Sequence, residues 1–287
     1  MYTVGLSTCG NKPMNLDAFL SMREVGIGAV ELCRDDYRIV DFKSIRAQAD
    51  ATGIELFSIH SHKHPSFDIS SLDNESNRRA IKEYCTLIDR ISEVGIDKIV
   101  IHPSNTPEPF DQHTREEKIK HAMSCLDTLA EFAWHKGVRI ALENLPRACL
   151  GNTLKEHQRL LGANDRLCAC LDLNHSLIDD TVDVIHALRK RIITIHVSDR
   201  DHINERHWMP GEGVLDWGKI MDAFLCIDYR GAWIYEVGFH PSATIERRTL
   251  TYRDFVLNAG QIFKKKPLTP IGTPFRHLGL WGPKENE

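Results

Sequence analysis

The chain alternates short apolar runs, rich in β-branched residues, with longer stretches in which apolar residues recur every three to four positions. Short apolar runs of this kind are typical of buried strands, and the longer spacing is typical of amphipathic helices. The helical pattern is clearest over residues 77–94 and 115–135. Eight runs predict strands, at residues 3–6, 29–32, 55–59, 98–101, 139–142, 167–171, 192–197 and 233–237.

Glycines at the ends of several helical stretches indicate how helix and strand are joined. Gly26, Gly53, Gly95 and Gly137 each stand just before a predicted strand, where glycine supplies a left-handed helix C-cap. Eight such βα units predict parallel strands in a single (β/α)₈ TIM barrel over residues 1–262. No glycine-rich phosphate fingerprint follows the first run, which disfavours an open dinucleotide-binding sheet.

Residues 263–287 follow the last predicted helix and are rich in Lys, Pro and Gly. We expect this C-terminal tail to be a surface extension or a subunit contact.

Composition narrows the classes of partner. The chain has 287 residues and a formal net charge of −4, which argues against broad attraction to nucleic acid or to an anionic membrane. No apolar stretch approaches the length of a membrane span, and the N-terminus does not resemble a signal peptide. The eight cysteines form no CxxC pair, so we expect buried thiols in a reducing cytoplasm and no cysteine-based zinc site.

Carboxylates and imidazoles stand at the ends of seven successive predicted strands. In a barrel of this type, catalytic residues occupy the C-terminal strand ends, so these side chains should share one bowl. Buried carboxylates repel one another and require a cation. The pattern therefore predicts a divalent metal site with oxygen and nitrogen ligands. The strand-end residues are Glu31, His60 with His62, His102, Glu143, Asp172 with His175, His196 and Glu236.

The order of these residues resembles the xylose isomerase-like barrel superfamily. Within it, the chain looks most like the sugar phosphate isomerase/epimerase group, which includes D-tagatose 3-epimerase, hydroxypyruvate isomerase and inosose dehydratase. The resemblance rests on ALEN at Glu143, DLNH at Asp172 and His175, IHVSD at His196, the stretch 207–217, and YEVG at Glu236.

The resemblance implies that Glu143, Asp172, His196 and Glu236 bind one divalent metal. Mn²⁺ or Zn²⁺ suits mixed oxygen and nitrogen ligands best, with Co²⁺, Fe²⁺ or Mg²⁺ as alternatives. The resemblance further implies that His175 and a residue of the loop after strand seven contact a small polyhydroxylated substrate. Family barrels often form homo-oligomers, so a dimer or tetramer is expected.

The implied chemistry is proton transfer through an enediolate. Glu143 and Glu236 would stand on opposite sides of the substrate, one removing a proton and the other returning it. Return to the same carbon gives an epimer, return to its neighbour gives an isomer, and loss of water makes a dehydratase. The loop residues Arg206, His207 and Trp208 are candidates for contacts to a substrate phosphate or carboxylate, to hydroxyls and to a sugar ring.

Endonuclease IV, another superfamily member, is the main alternative. Its extra zinc ligands correspond here to His60 or His62, His102, His175 and the pair Glu205 and His207. Three features disfavour this interpretation: Glu205 replaces an Asp, the continuations SHKHPSFDIS and NLPRACLGN depart from the family pattern, and the chain is acidic. We therefore assign the remaining strand-end and loop histidines to substrate binding or to additional metal; these are His60, His62, His102, His175 and His207. Glu31 is assigned either to the substrate or to an ion pair with Arg34.

Overall fold

Eight parallel strands close into one barrel, as predicted. The structure is a computed structural model that describes residues 2–9, 12–33, 37–61, 64–105, 111–276 and 279. Each strand pairs with its two neighbours in chain order, and the eighth closes on the first. The strands, named below by their order around the barrel, are Val4–Ser7, Ala29–Cys33, Glu55–His60, Lys98–Ile101, Arg139–Glu143, Cys168–Asp172, Ile192–Val197 and Trp233–Tyr235.

Helices follow the strands, and their ends are set by the local sequence. The two clearest helical patterns form helices Asn74–Ser92 and Gln112–His135, each beginning after an aspartate whose side chain accepts backbone N–H groups. Gly26 ends the first helix in the left-handed conformation, with φ 100°. The helices α1 to α8 are Leu16–Val25, Phe42–Thr52, Asn74–Ser92, Gln112–His135, Leu154–Leu161, Thr181–Leu188, Trp217–Cys226 and Tyr252–Phe263.

Apolar side chains form one layer outside the barrel wall and a separate layer inside it. One extended core joins the outward strand faces to the helices, whereas small clusters such as Val100, Ala141 and Cys170 are separate from it. Because side chains alternate along a strand, the next residues on the same side as Ala141 and Cys170 are Glu143 and Asp172. The apolar layer inside the barrel therefore carries a layer of ionisable side chains at its C-terminal end.

In the described part of the chain, two short antiparallel strand pairs lie outside the barrel. After the seventh strand, Asp199–Arg200 pairs antiparallel with Glu205–Trp208. Further on, Ile245–Glu246 pairs with Thr273–Pro274, so the described part of the C-terminal tail packs against the segment after the eighth strand. Within the described ranges, no helix combines the length and the apolar character that a membrane crossing requires.

Candidate metal centre

The four predicted ligands lie together at the ends of strands five to eight. One ligand atom from each of Glu143, Asp172, His196 and Glu236 falls within 4.8 Å of the other three. Sheet register places Asp172 directly opposite His196, whereas Glu236 follows two residues after Ile234, the partner of His196 on the eighth strand. The first three side chains are at most 1% exposed, and Glu236 is 13% exposed.

His196 stands at the centre of this group. Its Nδ1 lies 3.1 Å from Glu143 Oε1, 3.1 Å from Glu236 Oε2 and 3.7 Å from Asp172 Oδ2. One nitrogen cannot satisfy three carboxylates by hydrogen bonding. An arrangement of three carboxylates and one imidazole nitrogen around a common point suits a divalent cation with mixed oxygen and nitrogen ligands.

Asp172 supplies an independent test of the fit. Its Oδ1 accepts the backbone N–H groups of Asn174 at 2.7 Å and His175 at 3.3 Å. Its other oxygen, Oδ2, is buried and accepts no hydrogen bond from the described residues. A buried carboxylate oxygen without a partner is costly, and this one faces His196. The residues present therefore fit a divalent ion.

Electrostatics keep the two flanking carboxylates ionised. Burial alone would raise the pKa of Glu143, but His196 and His102 together hold it well below its usual value. Burial likewise opposes ionisation of Glu236, and His196 lowers its pKa well below the usual value. Burial disfavours protonated His196, yet the surrounding Cys170 and carboxylates raise its pKa well above the usual value. The carboxylates thus favour a positive charge at the centre of the group.

Glu143 also faces a second group of ligands. Its Oε2 lies 3.1 Å from His60 Nε2 and 2.9 Å from His102 Nε2. His60 and His102 meet edge to face, with ring centroids 4.9 Å apart. Burial lowers the pKa of His102, and the nearby His60 and His175 lower it further. A neutral imidazole is available as a ligand or as a hydrogen-bond partner.

A third group combines the sixth strand end with the hairpin after strand seven. His175, Glu205 and His207 each offer one ligand atom within 4.8 Å of the others. His175 Nε2 lies 3.6 Å from Glu205 Oε2, a buried oxygen that has no hydrogen-bond partner among the described residues. His207 adopts φ 50°, and its Nδ1 lies 3.1 Å from the Glu236 carbonyl oxygen.

The three groups border one cavity of about 310 Å³. This volume suits a small molecule rather than a folded partner. The cationic Arg147 and three cysteines, Cys9, Cys33 and Cys149, complete part of its wall. The predicted residues on this wall are His60, His102, Glu143, His175, His207 and Glu236.

Arg206 and Trp208 point elsewhere. On the strand Glu205–Trp208 side chains alternate, so Glu205 and His207 face the cavity while the other two face away. Arg206 Nε donates to Asp201 Oδ2 at 2.7 Å, and Trp208 Nε1 donates to Thr244 Oγ1 at 3.0 Å. Neither side chain belongs to the cavity wall formed by the described residues.

Glu31 and Arg147 make contacts that sequence patterns do not indicate. Glu31 is buried, with Oε1 2.9 Å from His196 Nε2, whereas its suggested partner Arg34 lies outside the described residues, as does His62. Arg147, in the loop after the fifth strand, forms an ion pair with Glu205 and adopts φ 55°. Neither contact has a signal in the sequence, because each depends on which loops and strands face one another.

Comparison with known proteins agrees with the barrel fold. The profile of the xylose isomerase-like TIM barrel family matches residues 19–253. The solved structure of L-ribulose 3-epimerase has a similar fold, with a TM-score of 0.77 and 19% identity over 92% of this chain and 95% of that chain. The 3-keto-D-glucoside 4-epimerase of E. coli matches with a TM-score of 0.72 and 21% identity over 90% of this chain and 98% of that chain. At such identities these matches establish the fold.

The curated relatives match a smaller part of this chain than the solved structures do. An uncharacterized protein of Sinorhizobium fredii is 28% identical over 148 residues, which are 50% of this chain and 48% of that protein. A probable endonuclease 4 of Acholeplasma laidlawii is 26% identical over 202 residues, 63% of this chain and 66% of that protein. The first of these matches thus spans about half of the relative's own length.

Fold and site together define a TIM barrel with a group of candidate metal ligands at the C-terminal ends of its strands. The profile match covers well over half of the chain, and the chain belongs to the xylose isomerase-like TIM barrel family. Its structural neighbours are sugar epimerases.

Proposed function

We propose that this protein is a divalent-metal-dependent sugar or sugar-phosphate isomerase or epimerase. The observation that carries the proposal is the placement of two ionised carboxylates, Glu143 and Glu236, at equal distance from His196 Nδ1 on the wall of a sugar-sized cavity. They come from the fifth and eighth strands, so they approach the group from different sides of the barrel. The sugar epimerases of similar fold support the same substrate class.

Glu143, Asp172, His196 and Glu236 would hold the ion. When bound, a divalent ion supplies Lewis-acid polarisation of a substrate carbonyl and so acidifies the neighbouring C–H. Glu143 or Glu236, whose pKa values lie below their usual range, takes the proton and leaves an enediolate. The opposite carboxylate returns a proton to the same carbon or to its neighbour, which gives epimerisation or isomerisation.

The imidazoles on the cavity wall would orient the substrate. His60, His102, His175 and His207 all border the cavity, and each offers ring nitrogens to hydroxyl groups.

Metal content and turnover test the proposal. Purified protein dialysed against buffer and analysed by mass spectrometry for metals should hold one divalent ion per chain. A screen of ketoses, keto-polyols and their phosphates should reveal turnover, which Glu143→Gln and Glu236→Gln should each abolish while the fold persists. Near-normal activity in either variant would contradict the two-carboxylate mechanism.

A phosphodiester hydrolase with a multinuclear zinc site is the second candidate. A specific observation favours it: the second and third ligand groups adjoin the first, and Glu143 is shared between the first two. The similarity to a probable endonuclease 4 points the same way. Three zinc ions per chain, together with nicking of duplex DNA that carries an abasic site, would establish this function and exclude the first.

A dehydratase or lyase acting on a keto-polyol uses the same ligand group. The product distinguishes it, because loss of water from the substrate changes its mass whereas epimerisation and isomerisation do not. Mass analysis of the product in the same substrate screen separates these outcomes.

A further inference from the structure

A row of buried polar side chains stands behind the metal-facing imidazole, with a hydrogen bond at its outer end and a close ion-pair contact at its inner end. Ser58 Oγ donates to Glu31 Oε2 at 2.7 Å, and Glu31 Oε1 lies 2.9 Å from His196 Nε2. All three residues have no exposed surface. The nitrogen that Glu31 contacts is the one that faces away from Glu143, Asp172 and Glu236.

The contact between Glu31 and His196 crosses the inside of the barrel. Glu31 belongs to the second strand and His196 to the seventh, and the first and eighth strands lie between them. A register shift between Val30 and Glu31 brings Glu31 opposite Ser58 on the third strand. The bulge therefore places the carboxylate next to the hydroxyl that holds it.

From this geometry we propose that Glu31 is a positioning residue that fixes the ring orientation and tautomer of His196, so that Nδ1 presents its lone pair to the metal. A neutral imidazole carries one N–H. A ring nitrogen lone pair 2.9 Å from the Glu31 carboxylate oxygen would be repelled, so the contact favours the N–H on Nε2 and leaves Nδ1 free to bind an ion. Carboxylates behind metal-bound histidines act in this way in other metal sites. The inference rests on the proposed metal centre.

Glu31→Gln gives the sharpest test because it changes hydrogen-bonding chemistry with almost no change in volume. The oxygen of the new amide can accept from Ser58, which turns the amide NH₂ toward His196 Nε2. That nitrogen must then accept, so the ring N–H moves to Nδ1 and blocks the ion. We expect the affinity of the metal-free protein for Zn²⁺ or Mn²⁺, titrated against a chelator, to fall ~10- to 100-fold.

Glu212→Gln is a matched control. Glu212 is a buried carboxylate that accepts the Met209 N–H at 2.9 Å and pairs with Arg247 Nη1 at 3.1 Å, outside the ligand groups. This variant should lower the thermal stability of the metal-free protein and leave its metal affinity unchanged. Ser58→Ala, which removes only the outer hydrogen bond, should weaken metal binding about fivefold, as expected for one hydrogen bond.

The outcomes separate this inference from the proposed function. If Glu31→Gln binds the ion as tightly as the unaltered protein, Glu31 has no positioning role. If Glu31→Gln does not fold, Ser58→Ala decides: unchanged metal affinity in that variant overturns the inference. A protein that binds the ion but turns over no sugar contradicts the proposed function alone, because the affinity measurement needs no substrate.

Discussion

Arg147 and Glu205 form an ion pair that joins the loop after the fifth strand to the hairpin after the seventh. Arg147 Nη1 also donates to Asn204 Oδ1 at 3.1 Å, and both members of the ion pair line the cavity. The pair therefore holds Glu205 beside His175 on the cavity wall.

Removing this ion pair should affect substrate binding more than stability. The side chains of both partners are 18% exposed, and pairs near the surface contribute about 1 kcal/mol or less. We expect Arg147→Gln to raise KM for the substrate found by screening and to leave the melting temperature nearly unchanged. Arg159→Gln is the control, because it removes an ion pair with Glu116 on the outer helices. Equal KM values in the unaltered protein and both variants would show that the Arg147 pair has no role in the site.

His157 should make stability depend on pH. It is buried behind the fifth strand, with Nε2 3.0 Å from the Leu142 carbonyl oxygen, and burial lowers its pKa to about 4. The unfolded-state pKa is about 6.5. Because the folded-state value is the lower one, this contribution to stability is complete above pH ~6.5 and is lost as the pH falls toward 4.

His157→Gln keeps a donor for the Leu142 carbonyl but removes the titrating group. Between pH 6.5 and 4 the unaltered protein should lose up to about 3 kcal/mol more stability than this variant. Urea unfolding at several pH values measures the difference. Parallel stability curves for the two proteins would show that His157 is accommodated in its protonated form.

The fold and the grouping of the inner candidate ligands could be predicted from sequence because each depends on regular structure. Strand ends in a parallel barrel converge, so Glu143, Asp172 and His196 could be placed together from their position after apolar runs alone. Irregular segments offer no such rule. Arg206 and Trp208 face away from the cavity because the stretch 205–208 is a hairpin strand. The side that each residue faces depends on the register in which this strand pairs with its partner.

The contact of Glu31 with His196 could not be predicted for a different reason. The two residues are far apart in the chain, and they meet only because the barrel closes and because a bulge shifts the second strand against the third. A sequence pattern identifies Glu31 as a strand-end carboxylate, but it contains no information on which residue lies across the interior.

Gly213 should be required by packing in the loop after strand seven. A Cβ at this position would overlap the Arg200 carbonyl oxygen and Asp199 Oδ1. Asp199 also accepts the Trp217 indole N–H at 2.9 Å, so displacing it disturbs the start of α7. We expect Gly213→Ala to cost about 1–3 kcal/mol of unfolding free energy. Gly260→Ala in α8, where the new Cβ meets nothing within 4 Å, should instead stabilise the protein by up to about 1 kcal/mol. Similar melting temperatures for both variants would contradict this packing argument.

His207 distinguishes a substrate-binding role for the third ligand group from an additional metal site. Its imidazole borders the cavity but lies outside the group formed by Glu143, Asp172, His196 and Glu236. We expect His207→Gln to retain the ion at that group with unchanged affinity, because none of its four ligands is altered. The variant should lose about tenfold in kcat/KM, the equivalent of one hydrogen bond to a substrate hydroxyl. Metal analysis and steady-state kinetics on the same preparation measure both quantities. Loss of one full ion per chain would instead assign His207 to an additional metal site and favour the multinuclear hydrolase.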